Sequence, residues 1–396
     1  MPLQKRKRIT LGLFSLLLAT ALWLPCLHLF FRQDLDDYFP AQGLGARTRQ
    51  VAQRHLDAWT RPELLEREIS KMRGTNAEWD FMGCSFLVWS LANMALRDPE
   101  SSDRYLEAAD RIIAETVRLE EEKGHLYFLM DYAKGRDFQV SPNRSLFVDG
   151  EIALMMGMRR VAREKAEYAA PMRERLDALL ERMRRSPVLS GESYPMECWM
   201  FCNSVALAAL KTGDYLDGTD HSDFFREWVD TARQKLTHPA TGLLVSSYTP
   251  DGGFLDGPEG SSIWTVAHFL DFIAPEFARD QYDRARQALG VTVAGFGYAR
   301  EWPRQWAGKP DVDSGPIVPL LGASAGSSGQ AFLAAATFGD RPYLSALLTS
   351  LHFAAFPVER EGSLRFCASN QVGDAVLLYA ATAGPVLEKI RKGRPQ

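Results

Sequence analysis

Hydrophobic and polar positions along this chain fall into two alternating kinds of segment. One kind carries apolar residues at i, i+3 and i+4 with charges between them, at 62–71, 102–121, 172–185, 222–235, 279–289 and 341–351. The other is almost wholly apolar and rich in small residues, at 81–96, 147–158, 201–210, 263–273, 330–338 and 375–383. The first pattern predicts outer helices with one wet face, the second helices buried on every side. Six of each, alternating at intervals of roughly 45 to 65 residues, predict helix hairpins that close on themselves, an all-α (α/α)6 toroid. An open solenoid would carry a repeat consensus, and none is present. Strand-like material is short: 243–248 runs into the turn Pro250-Asp251-Gly252-Gly253 and predicts a hairpin at the toroid mouth.

The N-terminus departs from this pattern. Lys5-Arg6-Lys7-Arg8 precedes an uncharged apolar run over 10–31, broken only by Pro25 and His28, and about 20 apolar residues span a bilayer as a helix. A cleaved signal peptide would have a shorter apolar region and small residues at its end, where this chain has Leu22-Trp23-Leu24-Pro25-Cys26. The expected organisation is a basic cytoplasmic flank (1–9), a single-pass transmembrane anchor (10–31), a polar connector (32–47) and the barrel (48–390). The basic cluster should stay cytoplasmic, which places the barrel outside the cytoplasm, periplasmic in a bacterium.

Composition narrows the function classes. With 46% hydrophobic and 24% charged residues in 396, the chain can bury a large core and has no disordered character. The net charge is −4 and the basic residues are scattered, so nucleic acid is not an expected partner. Five cysteines form no CxxC and no Cys/His zinc spacing, which argues against a structural metal; Cys198 and Cys202, at i and i+4 of a helix, are poorly placed for a disulfide and are expected as free thiols. No G-x-S-x-G, G-x-G-x-x-G or P-loop motif is present, which disfavours hydride transfer and ATP-dependent chemistry.

Candidate chemistry gathers where the apolar helices begin. Cys198-Trp199-Met200-Phe201-Cys202-Asn203 crowds thiols, an amide and aromatics beside Glu197, at a helix entrance suited to proton transfer. Asp80, between Trp79 and Phe81, is either a first-turn capping carboxylate or a catalytic acid. Glu151 leads a carboxylate into the apolar run 152–156; burial would raise its pKa and suit a general acid, unless Arg144 or another base holds it as an ion pair. Tyr248, in the hairpin, is a phenolic donor to the cavity or a surface aromatic. Asp313 lies in a Pro/Gly loop, where aspartates also serve turns. His268, inside an apolar helix, reads as a hydrogen-bonded core residue.

Phe201-Cys202-Asn203-Ser204-Val205-Ala206, with Leu216-Asp217-Gly218-Thr219-Asp220 and Leu244-Val245-Ser246-Ser247-Tyr248-Thr249-Pro250, resembles the linalool dehydratase/isomerase family. The resemblance runs from about residue 78 to 387 and implies an (α/α)6 fold and acid/base chemistry without a metal or organic cofactor, eliminating water from a tertiary allylic terpene alcohol or isomerising it. It implies that the family's thiol falls on Cys202, its hairpin tyrosine on Tyr248 and its early acid on Asp80. Two positions depart from the family pattern: Ser193 stands where a second thiol is expected, and Glu151 where a histidine enters an inner helix.

The leading expectation is therefore a membrane-anchored, cofactor-independent hydro-lyase or isomerase acting on a lipophilic, terpenoid-like alcohol. Glu151 or Asp80 would protonate the departing hydroxyl, and Cys202, Glu197 or Tyr248 would accept or steer the proton. Trp79, Phe147, Ser193, Cys198, Trp199, Asn203, Trp264 and Asp313 are the expected substrate contacts. A carbohydrate-active toroid, with paired carboxylates (Asp80, Glu151, Glu197, Asp313) and tryptophan platforms (Trp79, Trp199, Trp264), is the rival, and a non-catalytic binding protein the third reading. Expected partners are a small lipophilic or sugar substrate and the membrane; a homo-oligomer is left open.

Overall fold

A computed structural model describes residues 3–306, 311–312 and 314–393. In chain order its α-helices are α1 (Leu3–Trp23), α2 (Ala46–Thr60), α3 (Pro62–Thr75), α4 (Trp79–Arg97), α5 (Ser102–Lys123), α6 (Leu146–Ala162), α7 (Ala169–Arg185), α8 (Met200–Asp217), α9 (Ser222–Lys235), α10 (Gly260–Leu270), α11 (Pro275–Ala288), α12 (Ala325–Thr337), α13 (Arg341–Ala354), α14 (Gln371–Thr382) and α15 (Pro385–Lys392). Short strands fill the loops: β1 (Cys198–Trp199), β2 (Ser247–Tyr248), β3 (Phe254–Asp256), β4 (Gly290–Val293), β5 (Phe296–Ala299), β6 (Asp311–Val312), β7 (Gly315–Val318), β8 (Ala323–Ser324), β9 (Pro357–Arg360) and β10 (Ser363–Phe366).

The apolar segments form the inner ring. Helices α4, α6, α8, α10, α12 and α14 touch in that order, and α14 packs back on α4, so the ring is closed. Small residues permit the close approach: a Cβ on Gly150 of α6 would meet Ala206 of α8 at 3.5 Å. Amphipathic helices form the outer layer, α5 lying against α4 and α6, α7 against α6 and α8, α11 against α10, and α13 against α12. The (α/α)6 toroid expected from the alternation is the observed fold. Its outer layer differs at one place: α2, a helix the apolar pattern does not reveal, packs on α14 and seals the ring from outside.

The ring's interior is filled in its far half. Trp89 of α4, Phe269 of α10 and Tyr379 of α14 meet with ring centroids 5.2 to 6.4 Å apart. His268 is held there by Thr337 Oγ1 at 2.7 Å and Tyr379 OH at 2.9 Å, and its burial lowers its pKa to about 3; it is a neutral core histidine, as the sequence suggests. Below this layer α15 crosses the ends of α4 and α6, its Val386 N–H donating to Asn93 Oδ1 (3.1 Å) and Lys389 Nζ to Val161 O (2.9 Å). The inner helices all begin at the other end of the ring.

The connector expected as a polar linker is instead a docked strap. Tyr38 is fully buried with its hydroxyl 2.8 Å from His352 Nε2, and Phe39 stacks on Phe332 at 6.3 Å. The apolar N-terminal run is α1, exposed throughout, which continues beyond Trp23 as a 3-10 helix, Leu24–Phe30. Pro25, lacking an amide hydrogen, sits in that helix's first turn, where no intrahelical bond is lost.

Candidate active site

The phase of three inner helices decides what meets at the end where they begin. On α6, Phe147 and Glu151 are one turn apart and share a face. On α4 the same holds for Phe81 and Ser85, and Phe81 meets Phe147 edge-on at 5.1 Å and Phe128 at 4.5 Å. Glu151 is completely buried beside this aromatic wall, and neither carboxyl oxygen has a hydrogen-bond partner. Burial raises its pKa to about 8; the nearby Ser85 hydroxyl, which donates to Phe81 O at 3.1 Å, offsets part of this, and the Glu78 charge adds to it. Glu151 is therefore a neutral acid at pH 7. Asp149, two residues earlier on the opposite face, shows the contrary outcome. Burial acts on it in the same sense, but Arg144, Arg182 and Arg175, at 2.6 to 2.8 Å, hold it ionised below its usual range. Arg144 is thus the partner of Asp149, not of Glu151.

Cys202 is in the first turn of α8, buried, with its charge environment shared with Glu151 and Glu78. A helix N-terminus favours a thiolate, but desolvation dominates and holds Cys202 as a thiol; the Ser193 hydroxyl beside it counters only in part. The loop 186–199 brings Ser193 there. Asn203 fixes that loop by three bonds to backbone: Gly191 N donates to its Oδ1 (2.9 Å), and its Nδ2 donates to Gly191 O (3.1 Å) and Trp199 O (2.9 Å). Tyr248 lies opposite Cys198 in the β1–β2 pair, wholly buried, and its hydroxyl donates to Ser190 Oγ at 2.8 Å. Burial raises both Tyr248 and Cys198, so each keeps its proton. Glu78 accepts the Tyr194 hydroxyl, which in turn accepts Met130 N–H at 2.9 Å. Glu197 is half-buried at the rim, accepting from Tyr132 OH (3.1 Å) and Trp199 Nε1 (3.4 Å).

The structure thus groups Glu151, Cys202, Ser193, Phe147, Tyr248 and Cys198, with Trp199 and Glu197 on the rim. Other expected residues lie elsewhere. Asp80 does not join Glu151: its carboxylate faces the outer layer, 3.3 Å from Arg73, which also donates to Tyr127 O. Burial still raises the Asp80 pKa, with Arg73 opposing. Trp264 is no platform; it points outward between α11 and α13, 6.1 Å from Tyr282 and 6.2 Å from Tyr343, and its indole N–H donates to Ser327 Oγ at 3.1 Å. Asn203 spends its amide on the loop rather than on a ligand. Trp79 is partly exposed at the start of α4, and Asp313 lies outside the described residues. Glu78, Ser85, Tyr194 and Ser190 belong to the group and were not singled out from sequence; the 78, 81, 85 spacing, running from the residue just before α4 into it, carried the signal for the first two. No cluster of metal-ligating side chains occurs among the described residues. Two clefts lie on outer flanks, one beside His55 and Cys84, the other over Arg144 and Asp149, and neither is lined by Glu151 or Cys202.

Comparison with known proteins agrees with this geometry at the level of fold. The unsaturated glucuronyl hydrolase of Bacillus sp. GL1 superposes with a TM-score of 0.52 at 12% identity, over 84% of this chain and 96% of that one. A second structure, UGL with dGlcA-Glc-Rha-Glc, superposes at 0.50 and 12% identity, over 77% of this chain and 86% of that one. At such identity the likeness concerns the toroid alone. The sequence model of the linalool dehydratase/isomerase family matches residues 148–372, a span that holds Glu151, Ser193, Cys202 and Tyr248. The chain belongs to the linalool dehydratase/isomerase family and is an enzyme of lyase/isomerase type.

Proposed function

We propose that the protein is a membrane-anchored hydro-lyase or isomerase that acts on a lipophilic, terpenoid-like alcohol by proton transfer. One observation carries the reading: Glu151 is a neutral, unpartnered carboxylic acid in an aromatic wall beside a protonated thiol. Such a group is poised to give a proton to a bound hydroxyl. Protonation lets the C–O bond break and water leave; the allylic cation left behind loses a proton from the adjacent carbon to form the alkene, or recaptures water at the other end of the allyl system to give the isomer. Glu78, already an acceptor from Tyr194, is the carboxylate assigned to receive that proton. The thiol of Cys202 and the hydroxyl of Ser193 line the site as uncharged groups that orient the alcohol. The anchor is α1, one helix long and apolar enough to span a membrane, with its basic flank on the cytoplasmic side and the barrel on the other.

The carbohydrate reading has less support. Its carboxylate pairs dissolve once Asp80 is engaged by Arg73, and Trp264 turns away from the ring's interior. The deciding experiment incubates the full-length protein in vesicles with tertiary and primary allylic terpene alcohols, and separately with oligosaccharides. Alkene or isomer should form from the alcohols in the wild type and not in Glu151→Gln. Sugar cleavage or epimerisation with inert alcohols would overturn the proposal.

A further inference from the structure

The surface around the exit of α1 carries large apolar side chains that stay exposed. Phe30 is 71% exposed, Val293 57% and Phe356 65%, and Phe353 and Val358 are 45% and 40% exposed. They lie on the 3-10 helix after α1, on β4, at the end of α13 and just beyond it, and on β9, and neighbouring contacts link the first three: Phe31 packs on Phe353 at 5.0 Å, Phe353 on Phe296 at 5.2 Å and His28 on Phe296 at 6.4 Å, while Val293 stands opposite Phe296 in the β4–β5 pair. Isolated exposed apolar residues are ordinary; a contiguous group around a bilayer-length helix is not. The tether is short. Between α1 and this face stands only the seven-residue 3-10 helix, about 14 Å long at 2 Å per residue. Trp23, stacked on Phe30 at 5.9 Å, ends the span with a tryptophan, one of the two aromatics enriched at membrane interfaces.

We propose that the face formed by Phe30, Val293, Phe353, Phe356 and Val358 docks into the surface of the lipid bilayer that α1 spans. The inference rests on the reading of α1 as an anchor. It also fixes which way the barrel lies. Helix α13 returns antiparallel to α12 after a three-residue connection, and β5 runs across both, Ala299 N–H donating to Ser328 in the first turn of α12 and Gly297 N–H to Ser350 late in α13, each at 2.9 Å. Phe353, in the last turn of α13, is therefore at the level where inner helices begin, the end that holds Glu151. An alcohol dissolved in lipid then reaches the site along the membrane surface instead of through water.

The test uses the full chain in phosphatidylcholine vesicles with an environment-sensitive fluorophore on single cysteines and a quencher carried on lipid. Cys367 is exposed, and its amide donates to Phe356 O at 3.1 Å, so a label there, in a Cys26→Ser background, reads the face. Leu17→Cys reads α1, and Glu174→Cys on α7, across the ring, gives the aqueous reference; both are made with Cys26 and Cys367 replaced by serine. Quenching at Cys367 should exceed that at Glu174→Cys several-fold, and Val293→Asp with Phe356→Asp should abolish the excess while Leu17→Cys stays quenched. Quenching at Leu17→Cys with none at Cys367 overturns the docked face and leaves the anchor intact. No quenching at Leu17→Cys overturns both. A Cys367 label shielded from an aqueous quencher yet out of reach of the lipid quencher assigns the face to a second protein copy and overturns the proposal.

Discussion

Glu151 and Asp149 show how little of a carboxylate's behaviour is set by burial alone. Both are on α6 and both are shut away from water; three guanidinium groups keep one charged, and their absence leaves the other neutral. A pKa raised from an ordinary 4.5 to about 8 means that the folded state holds a proton which the unfolded chain releases. Glu151 therefore contributes most to stability below pH 4.5 and loses that contribution, at about 1.4 kcal/mol per pH unit, as pH rises to about 8. Glu151→Gln should melt higher than wild type at pH 8, and the gap should close toward pH 5; differential scanning calorimetry across that range measures it. The same substitution should lower turnover by about 10²-fold or more. In the wild type, kcat/KM should fall as pH rises through about 8, because the acid must be neutral to give its proton. Asp80 should behave oppositely: Asp80→Asn should cost roughly 1–3 kcal/mol by unpairing Arg73, while the folded fraction keeps its turnover. Urea melts and activity assays on the same samples separate the two outcomes.

At the scale of elements, the loop before α8 places more of the site than any helix does. Leu189 (φ 54°) and Met196 (φ 71°) both adopt left-handed backbone that only glycine takes freely, and between them run Ser190 and Ser193. Asn203 holds this geometry from the first turn of α8. Asn203→Ala should leave the buried Gly191 amide without a partner, destabilising by roughly 3 kcal/mol and loosening Ser193 from Cys202. Thermal melts and single-turnover rates should drop together, whereas loss of a simple ligand contact would raise KM alone. The sequence made the helices legible because wet and dry faces recur with helical period. It could not make the site equally legible. An inner helix of a toroid is apolar on both its inward and its outward face, so hydropathy cannot say that Glu78 and Phe81 turn in while Asp80 and Trp264 turn out. Helix α2 was hidden for a related reason: its charges mask the narrow stripe, Val51, Ala52, His55 and Leu56, that it buries. The docking of Tyr38 and Phe39 depends on contacts some 300 residues away, beyond any local pattern.

The whole molecule is a ring stopped at one end. Helix α15 ties α4, α6 and the segment after α10 together, its Arg391 reaching Asp271 at 2.6 Å and its own Val386, Leu387 and Ile390 buried against the ring. Truncation before residue 384 should uncover the ends of α4 and α6 on which these side chains pack and lower the melting temperature by several degrees while leaving Glu151 and Cys202 in place; circular dichroism melts and turnover at low temperature would show the difference. Above α15 the layer of Trp89, Phe269 and Tyr379 seals the interior again. Under the proposed reaction, substrate and products would then pass on the side of the ring where the inner helices begin. In the proposed reaction the aromatic layer would keep the expelled water from leaving on the far side of the hydrocarbon. Alcohol isomerised in ¹⁸O-labelled water should accordingly keep much of its original oxygen, the same atom returning to the carbon chain before the bulk solvent can replace it.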